Sequence, residues 1–167
     1  LYEGTIDVGI IIAQPMQRRR LHVESLVREN LLVLAAPDHP LHEKGVVTPE
    51  DLYEELLLLT ENGCSYRLLF EEILRSAGIR LSETMEFSSV EAIKQCAIAG
   101  IGVAVLPQIA VAKEIERGEL CPVNWNQPNF HAMTQLLWHT DKWMSPALSA
   151  FISMTRAVLK TPLPEPA

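Results

Sequence analysis

The stretch Thr84-Met-Glu-Phe-Ser-Ser-Val-Glu-Ala-Ile-Lys-Gln-Cys-Ala-Ile-Ala-Gly-Ile-Gly-Val-Ala-Val-Leu-Pro107 decides the fold. It reads as strand, helix, strand in immediate succession. Phe87 closes a short extended run. Ser88 and Glu91 form an S-x-x-E capping box, in which the serine caps and the carboxylate reaches back. Val90, Ile93, Ala97 and Ile98 fall at helical spacing and give one apolar stripe. Gly100 ends the helix in the left-handed region. Val103 to Leu106 is an apolar run of the kind buried on both faces of a parallel sheet, and Pro107 stops it. Such a βαβ unit places Ser88, Ser89 and the first helical N–H groups at the carboxyl edge of the sheet. Open α/β folds bind small molecules there, and a helix N-terminus can hold an anion.

Outward from this unit, the chain alternates strands and helices. Leu1–Gly4 reads as the last turn of a helix ended by glycine, and Thr5–Ile12 as a strand. Leu21–Val27 and Leu31–Ala36 read as two strands broken near Asn30. Pro37–Leu41 is a turn. Thr48-Pro49 reads as cap and first position of a short helix ending near Tyr53. Leu56–Thr60 is a buried strand, and Ser65 caps a helix over Tyr66–Ala77 that Gly78 ends. Pro107 to about Glu116 is a helix, and Leu120–Val123 a short strand. Asn124–Asn129 is a loop with Trp125 and Pro128. Met133–Trp138 is a strand, and Ser145-Pro146 opens a helix reaching about Lys160. The prolines of 161–167 forbid a helix there, so that tail is expected to be mobile.

This pattern predicts an α/β fold with mainly parallel sheets. It also suggests two lobes: 1–36 with 108–160 as lobe I, and 37–107 as lobe II. The hinge crossings are expected at Ala35-Ala36 and Leu106-Pro107. A cleft between lobes would be lined by the loop after Ile12, the loop Glu61–Ser65 and the helix start at Ser88.

Composition narrows the function. The 167 residues are 48% hydrophobic, enough to fill a core, and carry a formal charge of −7. That charge argues against a grip on phosphate backbone by these residues, and Arg18-Arg19-Arg20 reads as a solvated loop. Cys64, Cys96 and Cys121 are odd in number and form no C-x-x-C pair, so neither a zinc site nor a disulfide framework is indicated, and a reducing cytoplasmic setting fits. No apolar run approaches the roughly 20 residues that span a bilayer. His39 and His42 flank a proline turn and are not read as metal ligands. There is no G-x-S-x-G elbow and no H-E-x-x-H, so no enzyme activity, cofactor or metal is called for. Cys96 reads as a small buried side chain, and Arg67 as solvent-facing or paired with Glu71. His131 and His139 read as exposed strand ends, and Trp125, Trp138 and Trp143 as packing residues.

Several pieces in order resemble the effector-binding domain of LysR-type transcriptional regulators. They are Gly4-Thr-Ile-Asp-Val-Gly-Ile10, Pro37-Asp-His-Pro-Leu41, Asp51-Leu52, Ser88-Ser-Val-Glu-Ala-Ile93, Ala99-Gly-Ile-Gly-Val-Ala-Val-Leu-Pro107 and Ser145-Pro-Ala-Leu-Ser-Ala-Phe-Ile152. The resemblance implies a two-lobed fold like that of type 2 periplasmic solute-binding proteins, here without its first strand and helix. It also implies a homodimer, often assembled into a tetramer, that meets DNA through an N-terminal winged helix-turn-helix absent from these residues. By position it assigns effector contacts to Ile12, Ala13, Cys64, Ser65, Tyr66, Ser88, Ser89 and Val90; the hydroxyls and helix N–H groups there can hold a carboxylate or other polar metabolite. A solute-binding protein that serves a transporter would share this fold.

Overall fold

The computed structural model describes residues 1–127 and 130–159. Pro128, Lys160 and the tail 161–167 lie outside the described residues. The chain divides into two compact units: residues 1–28 with 132–167, and residues 29–131. The expected crossings at Ala35-Ala36 and Leu106-Pro107 therefore fall inside the second unit.

The reason lies in strand β2, which runs unbroken from Leu21 to Ala35. Asn30 does not break it. The strand alternates here between buried Glu29 and Leu31 and exposed Asn30, so a polar residue fits the outward phase. Asn30 Nδ2 also donates to Gln108 Oε1 at 3.2 Å. The second half of β2 pairs with strand β5 (Val103–Pro107) from Leu31↔Pro107 to Leu34↔Ala104, and with the two-residue strand β6 (Cys121–Pro122) through Ala35↔Cys121. Ala35 and Leu106 are both wholly buried, so they are sheet residues of one unit and not a linker.

In the second unit, β3 (Leu56–Thr60) lies parallel both to β5 and to β4 (Glu83–Phe87). These pairings carry the expected parallel α/β core, and β2 adds to it antiparallel. Helix α1 (Ser65–Ser76) follows β3, α2 (Val90–Ile98) follows β4, and α3 (Gln108–Glu116) follows β5. The core joins Leu34, Leu58, Ile93, Ala97, Ala104, Leu106, Val111 and Leu120. Each fully buried leucine, isoleucine or valine among them contributes about 1.5–3 kcal/mol. Cys96 is half-buried against this cluster. Lys94 of α2 meets Glu114 of α3 at 2.7 Å and Glu91 at 2.8 Å, holding the two helices together.

Two glycines are required by geometry. Gly100 ends α2 at φ +72°, a conformation that costs any side chain. Gly102 opens β5 where an added Cβ would sit 2.3 Å from the Leu56 carbonyl oxygen.

In the first unit, β1 (Val8–Ala13) pairs antiparallel with β7 (His131–His139), from Val8↔Trp138 to Ala13↔Met133. Leu1–Gly4 forms a turn closed by Gly4 N–H to Leu1 C=O at 3.2 Å, with Gly4 at φ +72°. Helix α4 (Pro146–Leu159) is capped by Ser145, whose Oγ accepts from Leu148 N–H at 3.2 Å. It buries Ile152 and sets Arg156 on Glu24 through Nε to Oε2 at 2.9 Å and Nη2 to Oε2 at 2.7 Å. The same guanidinium lies 5.9 Å from the centre of the Trp138 ring, which stacks on His22. Trp143 is 77% exposed and packs no core.

Candidate functional site

Three helix starts converge on one edge of the second unit's sheet. β3 is parallel to β4 with Thr60 opposite Phe87, and parallel to β5. The chain therefore leaves all three strands at the same edge and enters α1, α2 and α3 there. Partial positive charge gathers at such helix starts, and their first N–H groups have no partner within the helix.

Ser89, not Ser88, caps α2. Its backbone is extended (φ −125°, ψ 121°) and its Oγ accepts from Ala92 N–H at 3.4 Å. The expected capping box fails because the helix starts one residue later. Glu91 then lies in the first turn and bonds Gln95 and Lys94 instead. Ser88 and Ser89 are both exposed, so this helix start is open.

At α1 the cap position belongs to Cys64, with no side-chain cap bond, and Ser65 is the first helical residue. Cys64, Ser65 and Tyr66 are all half-buried. Burial, and after it the Cys64 side chain, push the Tyr66 phenol up to about 12, with Thr60 opposing. The phenol therefore remains a hydrogen-bond donor at neutral pH. Thr60 ends β3 and is 8% exposed, yet its hydroxyl makes no hydrogen bond of good geometry. A buried hydroxyl in this state costs about 1–3 kcal/mol.

Arg67 is not solvent-facing: its side chain is 12% exposed. Its Nε donates to Glu71 at 2.7 Å, and its Nη1 donates to Thr60 C=O at 2.6 Å and to Glu86 at 2.5 Å. Burial pulls its pKa down, but the bonds to Glu71 and Glu86 outweigh burial and hold it above the usual guanidinium value. This cation is spent on the fold, and the exposed α2 start carries hydroxyls and backbone N–H groups. The pairing with Glu71 was legible from the i,i+4 spacing; the bonds to Thr60 and Glu86 were not.

The other named residues have structural partners. His39 Nδ1 accepts from Leu41 N–H, and His39 Nε2 lies 3.4 Å from Glu55. His42 Nε2 lies 3.0 Å from Ala36 C=O. No group of three or more His, Cys, Asp or Glu among the described residues could hold a metal. His139 is half-buried, with Nδ1 accepting from Asp141 N–H at 3.1 Å. Trp125 packs with Phe70 and Phe130, ring centres 6.0 Å apart. Val90 is half-buried at the first turn of α2.

Ile12 and Ala13 belong to the first unit, at the end of β1. Ala13 is 3% exposed and Ile12 half-buried, so the backbone that follows is the accessible part. Sequence reasoning missed Thr60 at one edge and Gln135 beside the other loop. A polar residue at the end of a leucine run, and a glutamine inside Met133–Trp138, were the available signals.

Residues 1–160 match the model of the LysR substrate binding domain. The chain is 46% identical over 160 residues to the uncharacterized HTH-type transcriptional regulator YwqM of Bacillus subtilis, covering 96% of this chain and 54% of that protein. It is 39% identical over 156 residues to the HTH-type regulator YfiE of Escherichia coli, covering 91% of this chain and 51% of that protein. The chain thus spans about half the length of the curated relatives it matches. Among solved structures, the regulatory domain of Synechocystis CcmR in complex with 2-PG superposes with a TM-score of 0.83 at 25% identity, covering 96% of this chain and 76% of that one.

Proposed function

Since the chain belongs to the LysR substrate-binding domain family, we propose that it is the effector-sensing part of a bacterial DNA-binding transcriptional regulator. Its relatives are transcriptional regulators and not transporter components, which favours sensing over solute delivery. The observation that carries the reading is the open edge of the second unit, where the exposed α2 start offers the Ser88 and Ser89 hydroxyls and the first helical N–H groups.

The effector contacts proposed there are Cys64, Ser65, Tyr66, Ser88, Ser89 and Val90. Ile12 and Ala13 of the first unit are proposed on the family resemblance. The effector is a small polar metabolite, and a carboxylate on it would bond N–H and O–H groups because Arg67 is occupied. The charge of −7 fits a region that leaves DNA contact to another part of the regulator. A homodimer acting in the cytoplasm, without enzymatic turnover, completes the proposal. No helix among the described residues is long and apolar enough to cross a membrane.

Effector binding shifts the regulator only as far as the effector's affinity differs between two arrangements, about 1.4 kcal/mol for each tenfold change in their ratio. Thermal unfolding with a panel of small carboxylates, amino acids and aromatic acids tests the reading. A stabilising compound whose affinity falls in the Ser88→Ala/Ser89→Ala double variant supports it. A panel without effect, or an unchanged affinity in the variant, removes it from this edge.

A further inference from the structure

Gln135 sits inside strand β7, in register with Ile11, and is wholly buried. Its neighbours Leu136 and Leu137 are apolar and buried, so an amide is out of place unless it is fully bonded. Its side chain reaches along the sheet to the segment that follows β1. There Nε2 donates to Ala13 C=O at 3.2 Å and to Gln14 C=O at 3.0 Å, and Oε1 accepts from Met16 N–H at 3.3 Å. One side chain thus bonds three backbone groups, from Ala13 at the end of β1 to Met16 in the segment that follows it. The far end of the same loop is held separately, since Arg19 C=O accepts from the Tyr2 hydroxyl at 3.0 Å and Arg20 C=O from Thr140 N–H at 3.0 Å.

We infer that Gln135 is a positioning residue: a buried latch that fixes the course of the loop Ala13–Met16 and so the shape the first unit presents beside Ile12 and Ala13. An aliphatic side chain would fill the space and remove all three of these bonds. What the loop is for rests on the effector reading proposed above; the latch does not.

Amide exchange of the labelled chain, read by NMR, tests the latch without any effector. In Gln135→Met the Met16 amide should exchange about tenfold faster, the loss of roughly one net hydrogen bond, and trypsin should cut sooner after Arg18. The β1 amides should keep their protection. Gln135→Glu adds a signature that packing alone does not produce. While protonated, its carboxyl can donate one O–H to a loop carbonyl and accept from Met16. Once ionised, it faces two carbonyls with no donor. Loop protection in this variant should therefore be high at acidic pH and fall as pH rises, with the unaltered chain showing no such step. Unchanged Met16 exchange in Gln135→Met, or loss of β1 protection in step with it, overturns the latch. If Gln135→Met does not fold, a pH-independent loop in Gln135→Glu overturns it equally.

Discussion

Arg67 on helix α1 and Glu86 on strand β4 meet at 2.5 Å, and the same guanidinium nitrogen holds the Thr60 carbonyl at 2.6 Å. One cation therefore ties a helix start to the ends of two neighbouring strands. Replacing Arg67 with methionine leaves Glu71 and the Thr60 carbonyl without their partner in a half-buried setting. We expect a loss of about 2–3 kcal/mol in urea unfolding. Glu86→Gln, at an exposed carboxylate, should cost less than about 1 kcal/mol. Equal losses in the two variants would show that the guanidinium's other bonds contribute nothing.

Thr60→Val keeps the shape and removes the unpartnered hydroxyl. The fold should be as stable or more stable, by up to about 1 kcal/mol, because no hydrogen bond is lost. A valine variant less stable than the parent would show that the hydroxyl is bonded in the fold.

Ser89→Ala should cost about 1 kcal/mol, the value of an N-cap, and Ser88→Ala much less. The reverse order in melting experiments would return the cap to Ser88.

Asp51 is held at about 2, below its ordinary 3.8, chiefly by the bond from Lys44 and then by Thr48 N–H at 2.8 Å. A carboxylate depressed by folding stabilises the native state above its unfolded pKa. Its contribution, about 1 kcal/mol for this partly exposed pair, is whole above pH 4 and lost as pH falls toward 2. The Asp51→Asn variant should lack that part of the acid limb. An identical acid profile in the two proteins contradicts the assignment.

Gly102→Ala should destabilise by more than about 2 kcal/mol, since the new Cβ would meet a strand carbonyl and not a movable side chain. Gly100→Val should cost at least about 1 kcal/mol through its positive φ. A normal melting temperature for either would show that the α2–β5 turn relaxes.

The parallel core was legible because its signals are local: apolar strands, helical stripes and glycine ends follow one another between Leu56 and Pro107. The helix starts were readable to within one residue, since Ser88 and Ser89 are chemically equal as caps and only the backbone chooses between them. The unit boundary was not legible. Asn30 looks like a break in one dimension and becomes the outward phase of a long strand once β5 pairs alongside. Nor could the sequence show that Arg67 is consumed by partners 19 residues away, or that Gln135 reaches back to Ala13. Both depend on which strands lie side by side.

Amide NMR of the second unit's edge during titration with the panel compounds is the most direct measurement. The account predicts saturable shifts at Thr60–Tyr66 and Ser88–Glu91 for at least one small polar compound. Shifts confined to other parts of the folded chain, or none with any compound, would contradict it.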